Sequence, residues 1–69
     1  MLGNIIKEYI NEKGLKQSKI AKTANITVQA MNDILNERRK IDTIEYFKIC
    51  KALNVKTDFF AQIYEKQAV

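Results

Sequence analysis

The stretch TANITVQAMNDIL, residues 23–35, is the segment on which the architecture turns. Wound at 100° per residue, Ala30, Met31, Ile34 and Leu35 fall on one arc, while Val28, Gln29, Asn32, Asp33 and Asn36 fall on the other. The first arc is a core face. The second carries amides, one branched aliphatic side chain and an acid, but no lysine or arginine. Thr27 is a good N-cap for this helix, since its hydroxyl can accept from the free N–H groups of the first turn. Asn25, just before it, tolerates positive φ better than most residues and suits a tight turn.

On either side the chain divides into further short helices. Helix one is expected over about Leu2 to Glu12, with Ile5, Ile6, Tyr9 and Ile10 on one face, closed by Lys13-Gly14. Leu15 is expected to re-enter the core. Helix two reads from about Gln17 to Ala24, with Ile20, Ala21 and Ala24 on one side. The recognition of Thr27 as a cap starts helix three, which reaches about Asn36. Glu37 to Ile41, ERRKI, forms a basic loop. Asp42 with Glu45 fits a capping box and opens helix four, with Tyr46, Phe47, Cys50 and Leu53 inward. Thr57 can cap a fifth helix carrying Phe59, Phe60, Ile63 and Tyr64, fraying at Gln67-Ala68-Val69. The whole, residues 1–69, reads as one all-α domain of five helices, the central pair occupying about 17–36 and the last helix and tail about 57–69.

Composition narrows the function classes. With 69 residues the chain is near the lower limit for an unstapled core, and 46% apolar residues with no proline argue against disorder. One cysteine and no histidine exclude a disulfide framework and the common zinc spacings, and they leave no nucleophile–base pair for catalysis. Cys50 is expected to be a structural thiol. No metal, cofactor or enzymatic activity is expected. No apolar run is long enough to span a bilayer, so no membrane partner is expected and a cytoplasmic setting is the default. The net charge of +4 is unevenly spread: residues 13–40 carry +5 and the remainder −1. Such concentration suggests a polyanionic partner.

Residues 17–36 form a two-turn helix, a tight turn and a longer helix, with small Ala21 at the crossing and Ile20, Ala24, Ile26, Met31 and Ile34 around the turn. Together with IKEYINEKGLKQSKIAKTANIT, MNDIL and FKICKALNV, these resemble the phage-repressor and Cro-like (Xre-type) helix-turn-helix family over about Ile6 to Phe60. The resemblance implies a five-helix domain whose third helix enters the major groove of DNA, usually as a dimer on a pseudo-palindromic operator. It implies that Gln17 contacts the phosphate backbone and that Thr27, Val28, Gln29, Asn32 and Asp33 face the groove. It also puts Arg38, Arg39 and Lys40 in a phosphate-contacting loop. Lys16, Ser18, Lys19 and Asn36 flank these and join the candidate phosphate set.

The residue chemistry agrees. Gln29 and Asn32 carry the paired donor and acceptor that can bracket adenine N6 and N7, Val28 suits a thymine methyl, and Asp33 can accept from cytosine N4. Phosphate contacts position a protein on DNA, while base-edge contacts specify the sequence. The sequence also departs from the family. Lys16 and Lys19 stand where Ser or Thr and an acid form a capping box, which costs roughly 0.3–1 kcal/mol each against the helix dipole unless a phosphate binds there. Ile10 and Leu35 replace a common buried Arg–Glu pair, a joint exchange that predicts their contact. Asn25 and Glu37 stand at the two glycine positions, and Glu37 suggests an altered end to helix three. Phe59 and Ile63 form a second apolar stripe on the last helix, the expected contact of a weak homodimer, below the ~1,200 Å² of standard interfaces. These features lead to a sequence-specific DNA-binding regulator, a repressor of phage or mobile-element type. The alternative is an antitoxin or adaptor that uses the same fold to bind a protein.

Overall fold

The computed structural model describes residues 2–68. Five α-helices follow in order: α1 (Leu2–Glu12), α2 (Gln17–Thr23), α3 (Val28–Leu35), α4 (Thr43–Leu53) and α5 (Asp58–Ala68). The fold is all-α. Helix α1 lies against α3 and α5, while α2 packs on α3 and α4. The expected fraying at residues 67–69 is not seen at Gln67, which is helical; Val69 lies outside the described residues.

Four helices close in one way. At the end of each, a residue with left-handed backbone donates its N–H three residues back, and the next residue donates five back. Gly14 (φ 68°) and Leu15 do this for α1, reaching Asn11 and Ile10 at 3.1 and 3.0 Å. Asn25 (φ 57°) and Ile26 close α2 onto Lys22 and Ala21 at 3.1 and 2.9 Å. Glu37 (φ 62°) with Arg38, and Asn54 (φ 59°) with Val55, repeat the pattern for α3 and α4. Glu37 therefore adopts the backbone expected of the family's glycine, and the departure lies in its side chain. A left-handed turn costs a non-glycine residue roughly 1–2 kcal/mol. Here the Glu37 carboxylate accepts from the Asn4 N–H at 2.7 Å, tying the end of α3 to the otherwise unsatisfied first turn of α1.

The helix starts follow local chemistry. The Thr27 hydroxyl accepts from the Ala30 N–H at 3.1 Å. Asp42 and Glu45 form the capping box on α4, with reciprocal bonds of 2.8 and 3.1 Å. Arg39 pairs with the same Glu45 and holds its carboxyl below the ordinary 4.5, chiefly by hydrogen bonding. Because the folded value is the lower one, this stabilisation is complete above the unfolded value and is lost as pH falls through the folded one. Thermal melts at decreasing pH should therefore show a shallower acid loss for Arg39→Ala than for the parent. The cap expected from the Thr57 hydroxyl at the start of α5 is not formed among the described residues; its carbonyl instead accepts from the Tyr46 hydroxyl.

The core gathers Ile5, Ile6, Ile10, Ile20, Ala21, Ala24, Met31, Ile34, Leu35, Ile49, Cys50, Leu53 and Phe60. Ile10 and Leu35 are both fully buried in it, on helices that pack together. No polar or charged side chain among the described residues is buried with them. Two expectations need correction. Phe47 is 53% exposed, and Ile49 takes the inward place. Tyr46, Ile49, Cys50 and Leu53 make the i, i+3, i+4, i+7 stripe, and Phe47 is turned 100° from Tyr46. Leu15 is 41% exposed and only lightly covered, although Ile26 and Val55, which make the same closure bond for α2 and α4, pack against the core. Burial pushes the Cys50 thiol upward, so it stays protonated near neutrality and behaves as a small apolar residue. Burial, with the neighbouring Cys50, also raises Tyr46 to about 12.

Candidate functional site

Helix α3 presents its outward face beside the start of α2 and the loop at 37–41. The tight closure of α2 at Asn25 brings the two helices together and leaves Val28 57% exposed and Gln29 exposed. Asn32, Asp33 and Asn36 are half-buried along the same helix. Thr27 is exposed, and its hydroxyl oxygen is already engaged as the cap.

Two sets of hydrogen bonds order this face. In the first, Gln29 Nε2 donates to Asp33 Oδ1 at 3.2 Å, and Arg38 approaches the same oxygen at 3.6 Å. Asp33 is thus charge-compensated and held by a neighbour on each side. One N–H and the Oε1 of the exposed Gln29 have no hydrogen-bond partner among the described residues. In the second set, Lys7 Nζ donates to Asn36 Oδ1 at 2.6 Å, and Asn36 Nδ2 donates to both the carbonyl and Oδ1 of Asn32 at 2.8 Å. Gln17 Nε2 also reaches Asn32 Oδ1, at 3.5 Å. This row of polar groups crosses α1, α3 and α2.

The surrounding charge is positive. Lys16, Ser18, Lys19 and Lys22 are exposed on or beside α2, and Arg38, Arg39 and Lys40 are exposed after α3. Lys16 is the N-cap residue of α2 but makes no side-chain capping bond. Among the described residues, Lys16, Lys19, Lys22 and Lys40 take part in no ion pair. Arg38 and Arg39 do, with Asp33 and Glu45 respectively. The face therefore combines neutral hydrogen-bonding groups in the middle with uncommitted ammonium groups at its sides. Such an arrangement suits a ligand with regularly spaced anions and polar edges between them.

The sequence-based candidates divide accordingly. Val28 and Gln29 stand open, Asn32 and Asn36 are tied inward, and Asp33 is occupied by Gln29 and Arg38. Lys7 escaped the sequence reading. The sixth residue of α1, it carried no motif, and only the fold, which closes its 29-residue separation from Asn36, reveals the contact. Phe59 and Ile63 lie elsewhere, on α5. Ile63 is half-buried against the core, and Phe59, 37% exposed, meets Tyr9 and Phe60 edge-on at centroid distances of 5.3 and 5.1 Å. The apolar stripe expected there is largely absorbed within the chain.

Among the described residues no helix is long and apolar enough to cross a membrane. The sequence pattern of a protein family described as helix-turn-helix matches residues 6–60. No curated protein matches the chain.

Proposed function

The chain belongs to the Xre/Cro-like family of helix-turn-helix DNA-binding regulators, and we propose that it is a cytoplasmic transcriptional repressor of phage or mobile-element type that binds operator DNA as a weak homodimer. The observation that carries this reading is the neutral face of α3 framed by unpaired lysines on α2 and in the following loop. In the proposed complex α3 enters the major groove. Lys16, Gln17, Ser18, Lys19 and Lys40 meet phosphate oxygens, and Arg38 and Arg39 add charge while steadying Asp33 and Glu45. Gln29 brackets adenine with its outward Oε1 and N–H, and Val28 packs on a thymine methyl. Asp33 serves by fixing Gln29. Thr27 lies at the groove edge, where its O–H can donate. Phe59, with the outer edge of Ile63, is the proposed dimer contact.

Selection from random double-stranded DNA tests the reading. The expected result is an enriched palindromic motif, with half-sites one helical turn apart or a multiple of it. Absence of any enriched motif, with binding to a protein instead, would favour an antitoxin or adaptor. Affinity for the selected site should fall with salt, and Lys40→Ala should flatten that slope by about one unit. Gln29→Ala should weaken the selected site by about 1–3 kcal/mol while leaving non-specific binding nearly unchanged. Equal loss on every sequence would remove Gln29 from the readers.

A further inference from the structure

A side-chain amide looks the same from sequence whichever way it is turned, yet its two ends read opposite groups on a base. The fold fixes which end of Asn32 faces out. An ammonium group has donors only, so Lys7 Nζ must face an oxygen, and at 2.6 Å that oxygen is Asn36 Oδ1. The opposite end of Asn36, Nδ2, then meets the main-chain carbonyl of Asn32 at 2.8 Å. A carbonyl only accepts, so both ends of Asn36 agree on one orientation. The same Nδ2 donates to Asn32 Oδ1 at 2.8 Å, and Gln17 Nε2 adds a second donor at 3.5 Å. Asn36 supplies the close bond and Gln17 stands at the outer limit of one, so the oxygen is turned toward these two donors. Its Nδ2 is the end turned away from the network.

We propose that Lys7, a positioning residue on α1, acts through Asn36 to make Asn32 meet DNA as a donor alone, so that it selects guanine over adenine at the base pair it faces. The proposal rests on the DNA-reading role of α3. Guanine offers two acceptors, N7 and O6, in the major groove, and an amide –NH₂ can donate to both. Adenine offers N7 but sets its own amino donor beside it, and the accepting oxygen of Asn32 is held by Asn36, away from that group. Gln29 differs, since its Oε1 remains open. The two amides of one helix therefore read different purines, and the adenine bracket expected from sequence for Asn32 is replaced by a guanine contact.

The test compares motifs selected from random duplex DNA. Asn32→Ala marks the column that Asn32 reads. In that column the parent should prefer guanine over adenine by about tenfold, within the range for a good two-bond base contact. Lys7→Met keeps the aliphatic stem but removes one of the two constraints on Asn36, and should narrow the preference. Lys7→Arg, again a pure donor, should restore it. Asn36→Asp puts acceptors where Asn36 Nδ2 stood while keeping a partner for Lys7. It should draw Asn32 Nδ2 inward, turn Oδ1 outward and shift the column toward adenine or cytosine, the bases with an amino donor. Circular dichroism would establish that each variant is folded. A parent preference for adenine in that column, or an unchanged motif in Lys7→Met and Asn36→Asp, would overturn the proposal while leaving DNA reading intact. A parent that enriches no motif would overturn both.

Discussion

Phe60→Ala is expected to unfold most of the protein at physiological temperature. Phe60 is fully buried and stands edge-on to Tyr9 at 5.4 Å, joining the last helix to the first. Truncating a buried phenylalanine costs about 3–5 kcal/mol, through lost transfer energy and the cavity left behind. A chain of this size has roughly 3–10 kcal/mol of stability in total. The edge-to-face contact with Tyr9 adds a loss that area alone omits. Chemical denaturation should show a midpoint near zero denaturant, or no folded baseline. Phe60→Leu, which keeps most of the volume, should retain a cooperative transition. A small change in midpoint for the alanine variant would mean that α5 is not integral to the core.

Gly3→Ala should also have a large effect for the addition of one methyl group. A Cβ at this position would overlap the Ile34 carbonyl oxygen, with the carbonyl carbon only 3.2 Å away. The obstacle is backbone, so no rotamer change relieves it. Overpacking costs typically about 1–3 kcal/mol, and the rigidity of this contact puts Gly3→Ala near the upper end. The consequence reaches beyond stability. Relief requires α1 to move away from α3, which stretches both the Glu37–Asn4 tether and the Lys7–Asn36 bond. Loss of stability should therefore be accompanied by weaker operator binding even under conditions where the variant is fully folded. Fluorescence anisotropy at low temperature, with folding monitored by circular dichroism, separates these effects. Parental affinity in the folded variant would show that the tether does not position α3.

Much of the fold was legible because its helix ends are written in local chemistry. Thr27, the Asp42–Glu45 box, Gly14 and Asn25 each act within a few residues of themselves, and the helices begin or end there. The burial of Ile10 and Leu35 was legible too, since apolar residues on the inward arcs of α1 and α3 belong in one core, where both lie. Phe47 was not. Adjacent aromatics at 46 and 47 fit two neighbouring stripes on α4, and the choice depends on where α2 packs, which no local pattern carries. The candidate site was legible in outline, as a neutral face between basic segments. Its internal order was not, because helical periodicity cannot say that Asn36 turns toward a lysine on another helix and holds Asn32, or that Asp33 is held by Gln29 and Arg38.

The wholly apolar core has one more consequence. Ile10 and Leu35 are buried at its centre, and no charged side chain among the described residues lies inside. Ionic strength can then act on the grip and hardly on the gripping body, since screening weakens exposed charges and leaves apolar burial almost untouched. A rise in salt would release the proposed repressor from its operator as an intact, refolding-free unit, ready to rebind when the ions are diluted.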